Sequence, residues 1–298
     1  MKAIALVPDQ SILPAVRPNT IASHRPSRAR GGLIVTCPHS GRYYPPELLA
    51  ASKLDYFSLR RSEDAFVDLL FQDAPNHGAT LLTNEFARAF VDVNRSADEL
   101  DPRLISGLSD TSSFSTSERV KAGLGVIPRT VGDSICIYTT TISNDEALAR
   151  LAEVHTPWHR AIEVTLEQCC ETNGAAIVLD CHSMPSEAAG STNCDIVLGD
   201  RFGASCAPLL TTEALAYLRK AGLRVARNSP FAGGYTTRRH GQVLRGHHAL
   251  QIEVNRSLYM VEGAMTLRPS FSEIREIMSG LVARLVEVSL HLERVSVS

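Results

Sequence analysis

The chain has 298 residues, 44% of them hydrophobic and 21% charged, with a formal net charge of −2. These values suit a globular domain and give no bulk electrostatic reason to expect nucleic acid or a membrane surface as partner. No apolar run approaches the ~20 residues that span a bilayer, residues 1–16 lack a secretory-signal pattern, and seven cysteines without a Cys-x-x-Cys pair suggest reduced thiols in a cytoplasmic protein.

Residues 1–30 mix prolines with Arg17, Arg25, Arg28 and Arg30 and read as a flexible arm, or one laid over the surface. Leu33–Cys37 reads as the first core strand, followed by Pro38-His39-Ser40-Gly41. Pro45-Pro46-Glu47 opens a short helix, and Ser62 is a natural N-cap for a helix over about 63–74. Strands are expected at 79–83 and 88–93, the second running into Asn94-Arg95. Residues 96–143 are irregular, with short strand candidates at 126–129 and 135–138. Leu148, Leu151, Val154, Trp158, Ile162 and Leu166 keep helical spacing along a helix from Ser143 to about Thr172.

Residues 174–184 carry the strongest strand signal, an apolar run leading straight into Asp180-Cys181-His182-Ser183. A strand at 194–198, a helix over 203–220 and a strand at 223–226 follow, then a glycine-rich loop over 230–241. A strand at 248–254 carries Glu253 and leads into Asn255 and Arg256, and a helix spans about 270–292. The alternation implies an α/β three-layer sandwich around a mainly parallel, mixed central sheet, built as a single domain over 31–298.

In an open α/β sheet, polar groups just past the carboxyl ends of strands line the ligand crevice. His39, His182 and Glu253 all occupy such ends, with Glu63 and Asp64 at the start of a helix between them. Two histidines, one carboxylate and an open position make the ligand set of a catalytic zinc, and a further carboxylate beside the water can shuttle its proton. A single such histidine reads more readily as a hydrogen-bonded loop residue; two at the ends of buried strands, with an acid at a third, bring the two readings level. Arg88, Arg95, Arg129, Arg238, Arg239 and Arg256 suggest an anionic substrate, or surface ion pairing. Residues 230–237 read as a mobile cover or a plain turn. His155 and His159 share a helix face, and the apolar stripe around Trp158 favours a structural role for them. Cys37 and Cys181 read as small buried hydrophobes.

Several segments together resemble the N-formylglutamate amidohydrolase family. They are Pro38-His39-Ser40-Gly41, Asp64-Ala-Phe-Val67-Asp68, Arg88-Ala-Phe-Val-Asp-Val-Asn94-Arg95, Asp180-Cys-His-Ser-Met-Pro185, Gly233-Gly234-Tyr235 and Ile252-Glu-Val-Asn-Arg256. The resemblance runs in order from about residue 33 to 290. It implies a zinc-carboxypeptidase-like fold and hydrolysis of N-formyl-L-glutamate to formate and glutamate, a step of histidine degradation. It implies Zn2+, or another divalent metal, held by His39, Asp64 and His182, with Glu63 the rival to Asp64. Glu253 matches the catalytic carboxylate. Arg95 with Asn94 matches a carboxylate-binding position, and Arg88, Arg129, Arg256, Gly234 and Tyr235 complete the substrate set. Relatives acting on another N-acyl amino acid or short peptide, and a non-catalytic anion-binding relative, are the alternative readings. Asp180 is expected to orient a ligand imidazole.

Overall fold

The computed structural model describes residues 17–108, 117–132, 135–189 and 193–292. Seven strands form the central sheet: β1 (Ile21–His24), β2 (Leu33–Cys37), β3 (Thr80–Asn84), β4 (Ala176–Met184), β5 (Ile196–Gly199), β6 (Val225–Arg227) and β7 (His247–Asn255). Their order is β1-β3-β2-β4-β7-β5-β6. β3, β2, β4 and β7 run parallel, β5 runs antiparallel to β7, and β1 is antiparallel at one edge. The sheet is therefore mixed and mainly parallel, as expected for an α/β sandwich.

Strand periodicity sorts side chains between two cores. Leu33, Val35, Ile177, Leu179, Leu250 and Ile252 pack on one face against helices α2 (Pro208–Lys220) and α3 (Phe271–Ser289). Ile34, Ala176, Val178 and Ala249 pack on the other, against Trp158, Ile162 and Leu166 of helix α1 (Thr156–Asn173). Every residue of β4 and β7 is buried, and each buried Ile or Leu contributes roughly 1.5–3 kcal/mol. Cys37 and Cys181 fall on the first face and are buried there. Among the described residues, no helix is long and apolar enough to cross a membrane.

Several expected elements differ. Residues 1–16 of the expected arm lie outside the described residues, and Ile21–His24 extends the sheet by pairing with β3. The expected helix over 63–74 shrinks to Val67–Leu70, because Phe66 takes a left-handed conformation (φ 66°) and Ser62 donates to the Leu59 carbonyl. Residues 88–93 form turns instead of a strand: Phe90 N donates to Ala87 O, and the alternating pattern reflects a loop buried on all sides. Part of the glycine-rich loop is a helix, Tyr235–His240. The long helix from 143 is interrupted by a π-helical turn, Leu151–His155.

Candidate active site

The site opens at the carboxyl ends of β2, β4 and β7, on the α1 side of the sheet. Glu253 on β7 is the in-register neighbour of His182 on β4. Both belong to the residue parity that faces α1, so both side chains enter the same space. The loop after β2 supplies His39, whose carbonyl accepts from Asp64 N at 2.9 Å, while Ser40 Oγ donates to Asp64 O at 3.1 Å. Those two bonds hold Asp64 against the strand ends without a helix beneath it.

Asp64 Oδ2 sits 3.2 Å from His39 Nδ1 and 3.0 Å from His182 Nδ1. One ligand atom from each of the three residues lies within 4.8 Å of the others, and all three residues are buried. Each imidazole is fixed from behind by a carboxylate: His39 Nε2 is 2.7 Å from Asp92 Oδ1, and His182 Nε2 is 3.0 Å from Asp180 Oδ2. Thr36 Oγ1 donates to the other Asp180 oxygen at 2.8 Å. Carboxylate-backed histidines of this kind set the tautomer of metal ligands. The other oxygen of Asp64 accepts from Ser183 Oγ at 3.1 Å and from Arg256 Nη2 at 3.2 Å, which leaves Oδ2 aimed at the histidines. Two Nδ1 atoms and a carboxylate oxygen, each oriented from outside, fit a divalent metal.

Glu63 is buried but turned away. It accepts from Tyr44 at 2.7 Å and from Arg60 Nε and Nη2 at 3.0 and 3.1 Å. Of the two neighbouring acids, Asp64 is the one that reaches the histidines.

The electrostatics follow from burial and pairing. Burial pushes the Asp64 carboxyl up, but the hydrogen bonds of His182 and His39 outweigh it and hold it well below the usual carboxylate range. Burial likewise opposes charge on His182, yet Asp180 and Asp64 raise it well above an ordinary histidine. Asp92 is held low against its burial by Arg88 and His39. Glu253, only 8% exposed, behaves oppositely. Burial raises it to about 7, the neighbouring Asp64 adding to the effect and His182 opposing it. Its side chain accepts a hydrogen bond from Gln251 Nε2 at 2.8 Å.

The cavity in front of these groups has a volume of about 470 Å³. Five arginines reach its wall: Arg61, Arg88, Arg95, Arg119 and Arg256. Arg88 donates to Asp92 at 2.9 Å, and Arg256 is committed to Ser183, Asp64 and the Glu63 carbonyl. Arg95 is different. It is 7% exposed, lies 3.7 Å from Asp92 Oδ2, and its buried Nε has no hydrogen-bond partner among the described residues. Burial lowers its pKa to about 10, with Asp92 opposing the shift and Arg119 and Arg88 adding to it.

The sequence profile of the N-formylglutamate amidohydrolase family matches residues 31–260. The chain belongs to that family. It is 31% identical over 268 residues to the N-formylglutamate deformylase of Pseudomonas aeruginosa, covering 86% of this chain and 94% of that protein. It is 27% identical over 236 residues to the N-formylglutamate deformylase of Pseudomonas putida, covering 77% and 82% of the two chains. The crystal structure of an N-formylglutamate amidohydrolase from Ralstonia eutropha superposes with a TM-score of 0.86 at 30% identity, over 92% of this chain and 99% of that one.

Within this family member, the sequence-derived site separates into parts. His39, Asp64, His182, Glu253, Arg88, Asn94, Arg95, Gly234 and Arg256 all line the cavity. Arg129 does not, because Asp101 binds its Nε at 2.8 Å. Tyr235 is also outside, stacked edge-on against His159 with ring centroids 5.0 Å apart. Arg238 lies over the Tyr235 ring and Arg239 binds Glu163. Asn94 serves the wall itself: its Oδ1 accepts from Thr236 N at 2.8 Å, and its Nδ2 lies 3.1 Å from His182 Nε2. Sequence reasoning missed Asp92, Arg61 and Arg119. Asp92 lay inside a recognised motif, and an acid four residues after Arg88 was the available signal.

Proposed function

We propose that this chain hydrolyses the N-formyl amide of N-formyl-L-glutamate, giving formate and glutamate. The observation that carries the reading is the convergence of His39 Nδ1, Asp64 Oδ2 and His182 Nδ1 beside Glu253, in a cavity walled by arginines. Two curated relatives are named for this activity. We take zinc as the metal, held by His39, Asp64 and His182, because two imidazoles and one carboxylate form a common catalytic zinc set. When bound, it supplies Lewis acidity to the scissile carbonyl and to the attacking water.

The chain's own groups do the rest. Glu253, raised to about 7 by burial, accepts a proton from the water as its oxygen bonds to the formyl carbon. It returns that proton to the nitrogen as the C–N bond breaks, so formate leaves as the acid half and glutamate as the amine. Arg88 borders the space where negative charge develops on the carbonyl oxygen and favours it. Arg95, in the cavity wall, receives a substrate carboxylate through its guanidinium. Arg61 and Arg119, at the outer wall, serve the second carboxylate. Arg256 acts on Asp64, holding the carboxylate in its ligand orientation.

The test is formate release from N-formyl-L-glutamate by purified protein, with chelator and then zinc add-back. Turnover abolished by chelator and restored by zinc is the expected result. Absence of formate release at full metal loading, or turnover indifferent to chelator, overturns the reading.

A further inference from the structure

Behind the cavity wall formed by residues 92–95 lies a group of three buried histidines that the hydrolytic scheme does not use. His155 and His159 sit on consecutive turns, with ring centroids 4.5 Å apart, and His240 stacks on His159 at 5.2 Å. His155 Nε2 lies 2.8 Å from the Arg95 carbonyl, and His159 Nε2 lies 2.9 Å from the Val93 carbonyl. The carbonyl between them, Asn94 O, accepts from Tyr235 N. Three successive carbonyls are therefore gripped from one side, by α1 and by the short helix Tyr235–His240.

A carbonyl accepts and never donates, so both Nε2 atoms carry the proton. His159 Nδ1 is then an acceptor, and it takes a hydrogen bond from His240 Nε2–H at 2.9 Å. The chain of bonds runs one way, His240 to His159 to the Val93 carbonyl. Burial keeps the group neutral: it lowers His155, lowers His159 well below an ordinary histidine, and pushes His240 down to about 4. His155 closes the π-helical turn Leu151–His155, a feature found frequently at functional sites. Packing alone needs no such arrangement, since an apolar helix face would fill the same space.

We propose that His155, His159 and His240 are positioning residues that clamp the backbone of residues 93–95, and thereby set the Arg95 guanidinium to receive a substrate carboxylate, with Asn94 holding the wall beside it. His240 ends the short helix that begins just after Gly234, so the clamp is continuous with the neighbouring wall segment Pro230–Gly234, whose Gly234 lies against Asn94. The catalytic consequence rests on the formylglutamate reading; the clamp itself does not.

The paired variants are His159→Leu, which removes both bonds, and His159→Gln, whose amide can donate to Val93 O and accept from His240. In His159→Leu, amide exchange in a peptide covering residues 92–96 should accelerate about tenfold or more. KM for N-formyl-L-glutamate should rise about tenfold, with kcat and metal stoichiometry near wild type, and His159→Gln should restore both. Unchanged exchange and KM in folded His159→Leu overturn the clamp, even if its unfolding midpoint drops. Should His159→Leu not fold, His155→Leu against His155→Gln gives the same readout at the Arg95 carbonyl. A wild-type protein without formate release fails the formylglutamate reading, and hydrogen exchange still decides the clamp.

Discussion

His182 and Glu253 are in-register neighbours on adjacent parallel strands, pointing to the same side of the sheet. The imidazole proposed as a metal ligand and an acid of raised pKa are thus held next to each other by the sheet's own hydrogen bonds, the rigid support that the proposed chemistry requires. Placing the acid on a strand also fixes its burial, and burial raises it to about 7.

The first prediction concerns that acid. Glu253→Gln keeps the volume and the contact with Gln251 but cannot accept a proton. Turnover should fall at least ~100-fold, the scale of general-base catalysis, while bound metal stays at one equivalent. Formate release and elemental analysis on the same preparation check this. Undiminished turnover removes Glu253 from the role.

How much of this was legible without coordinates depends on which element carries each residue. His39, His182 and Glu253 were legible because buried parallel strands announce themselves as apolar runs, and their carboxyl ends share one edge. Asp180 was legible for the same reason, two residues before His182 on the same face. Asp92 and the pairing state of the arginines were not. Their segment alternates apolar and polar residues like a strand, yet Ala89, Phe90, Val91 and Val93 are all buried around a loop. That loop is held by tertiary bonds from His155 and His159, which no local pattern encodes. Local propensity also misled at residues 63–66, where Ser62 and the acids suit a helix start. Asp64 is instead held by His39 and Ser40, and the chain reaches its helix only after Phe66 adopts φ 66°.

Arg95 should behave as a binding group. Arg95→Gln removes a guanidinium whose Nε lies 3.7 Å from Asp92, a looser pairing than that of Arg88 at 2.9 Å, so the structural loss is the smaller part of the effect. Loss of a charge-assisted hydrogen bond of about 1.5–3 kcal/mol corresponds to a KM increase of roughly 10–150-fold. Steady-state kinetics should place the change in KM with kcat much less affected. The same split should appear as weaker inhibition by glutamate.

Metal affinity should rise with pH. Both ring nitrogens of His182 face carboxylates, and Asp180 and Asp64 raise its pKa against the opposing effect of burial. A metal takes Nδ1 only after its proton leaves, so binding releases protons at neutral pH. Calorimetry in buffers of differing ionisation enthalpy measures that release. The linked stability term has a definite sign. The folded-state value lies above the unfolded one of ~6.5, so this contribution is complete below that pH and is lost as pH rises through the folded value. Proton-independent metal binding across pH 6–8, on the order of the histidine range, contradicts the arrangement.

Gly234 should not tolerate a side chain. A Cβ there would lie 2.3 Å from Asn94 Nδ2 and 2.5 Å from Oδ1, and that amide is already bonded to Thr236 N. Gly234→Ala forces Asn94 or the Gly233–Gly234 segment to move, at about 1–3 kcal/mol for an overpacked site. Denaturant unfolding should show a lower midpoint, accompanied by a raised KM as Arg95's neighbour shifts. An unaltered midpoint and KM would mean the segment yields freely.

Glu63 and Asp64 are adjacent, equally buried acids with opposite expected outcomes. Glu63 accepts three hydrogen bonds from Tyr44 and Arg60. Glu63→Gln leaves the Arg60 guanidinium buried without its counter-charge, so stability should fall by about 3–5 kcal/mol while metal stoichiometry stays at one. Asp64→Asn keeps an oxygen near His39 and His182 but loses the charge that two imidazoles and Arg256 converge on. Metal should then be lost on dialysis, with a smaller change in the unfolding midpoint because Ser183 and the backbone contacts remain. Elemental analysis and denaturant titration of the two variants side by side make the assignment. A Glu63→Gln protein that loses metal, beside an Asp64→Asn protein that keeps it, reverses the ligand.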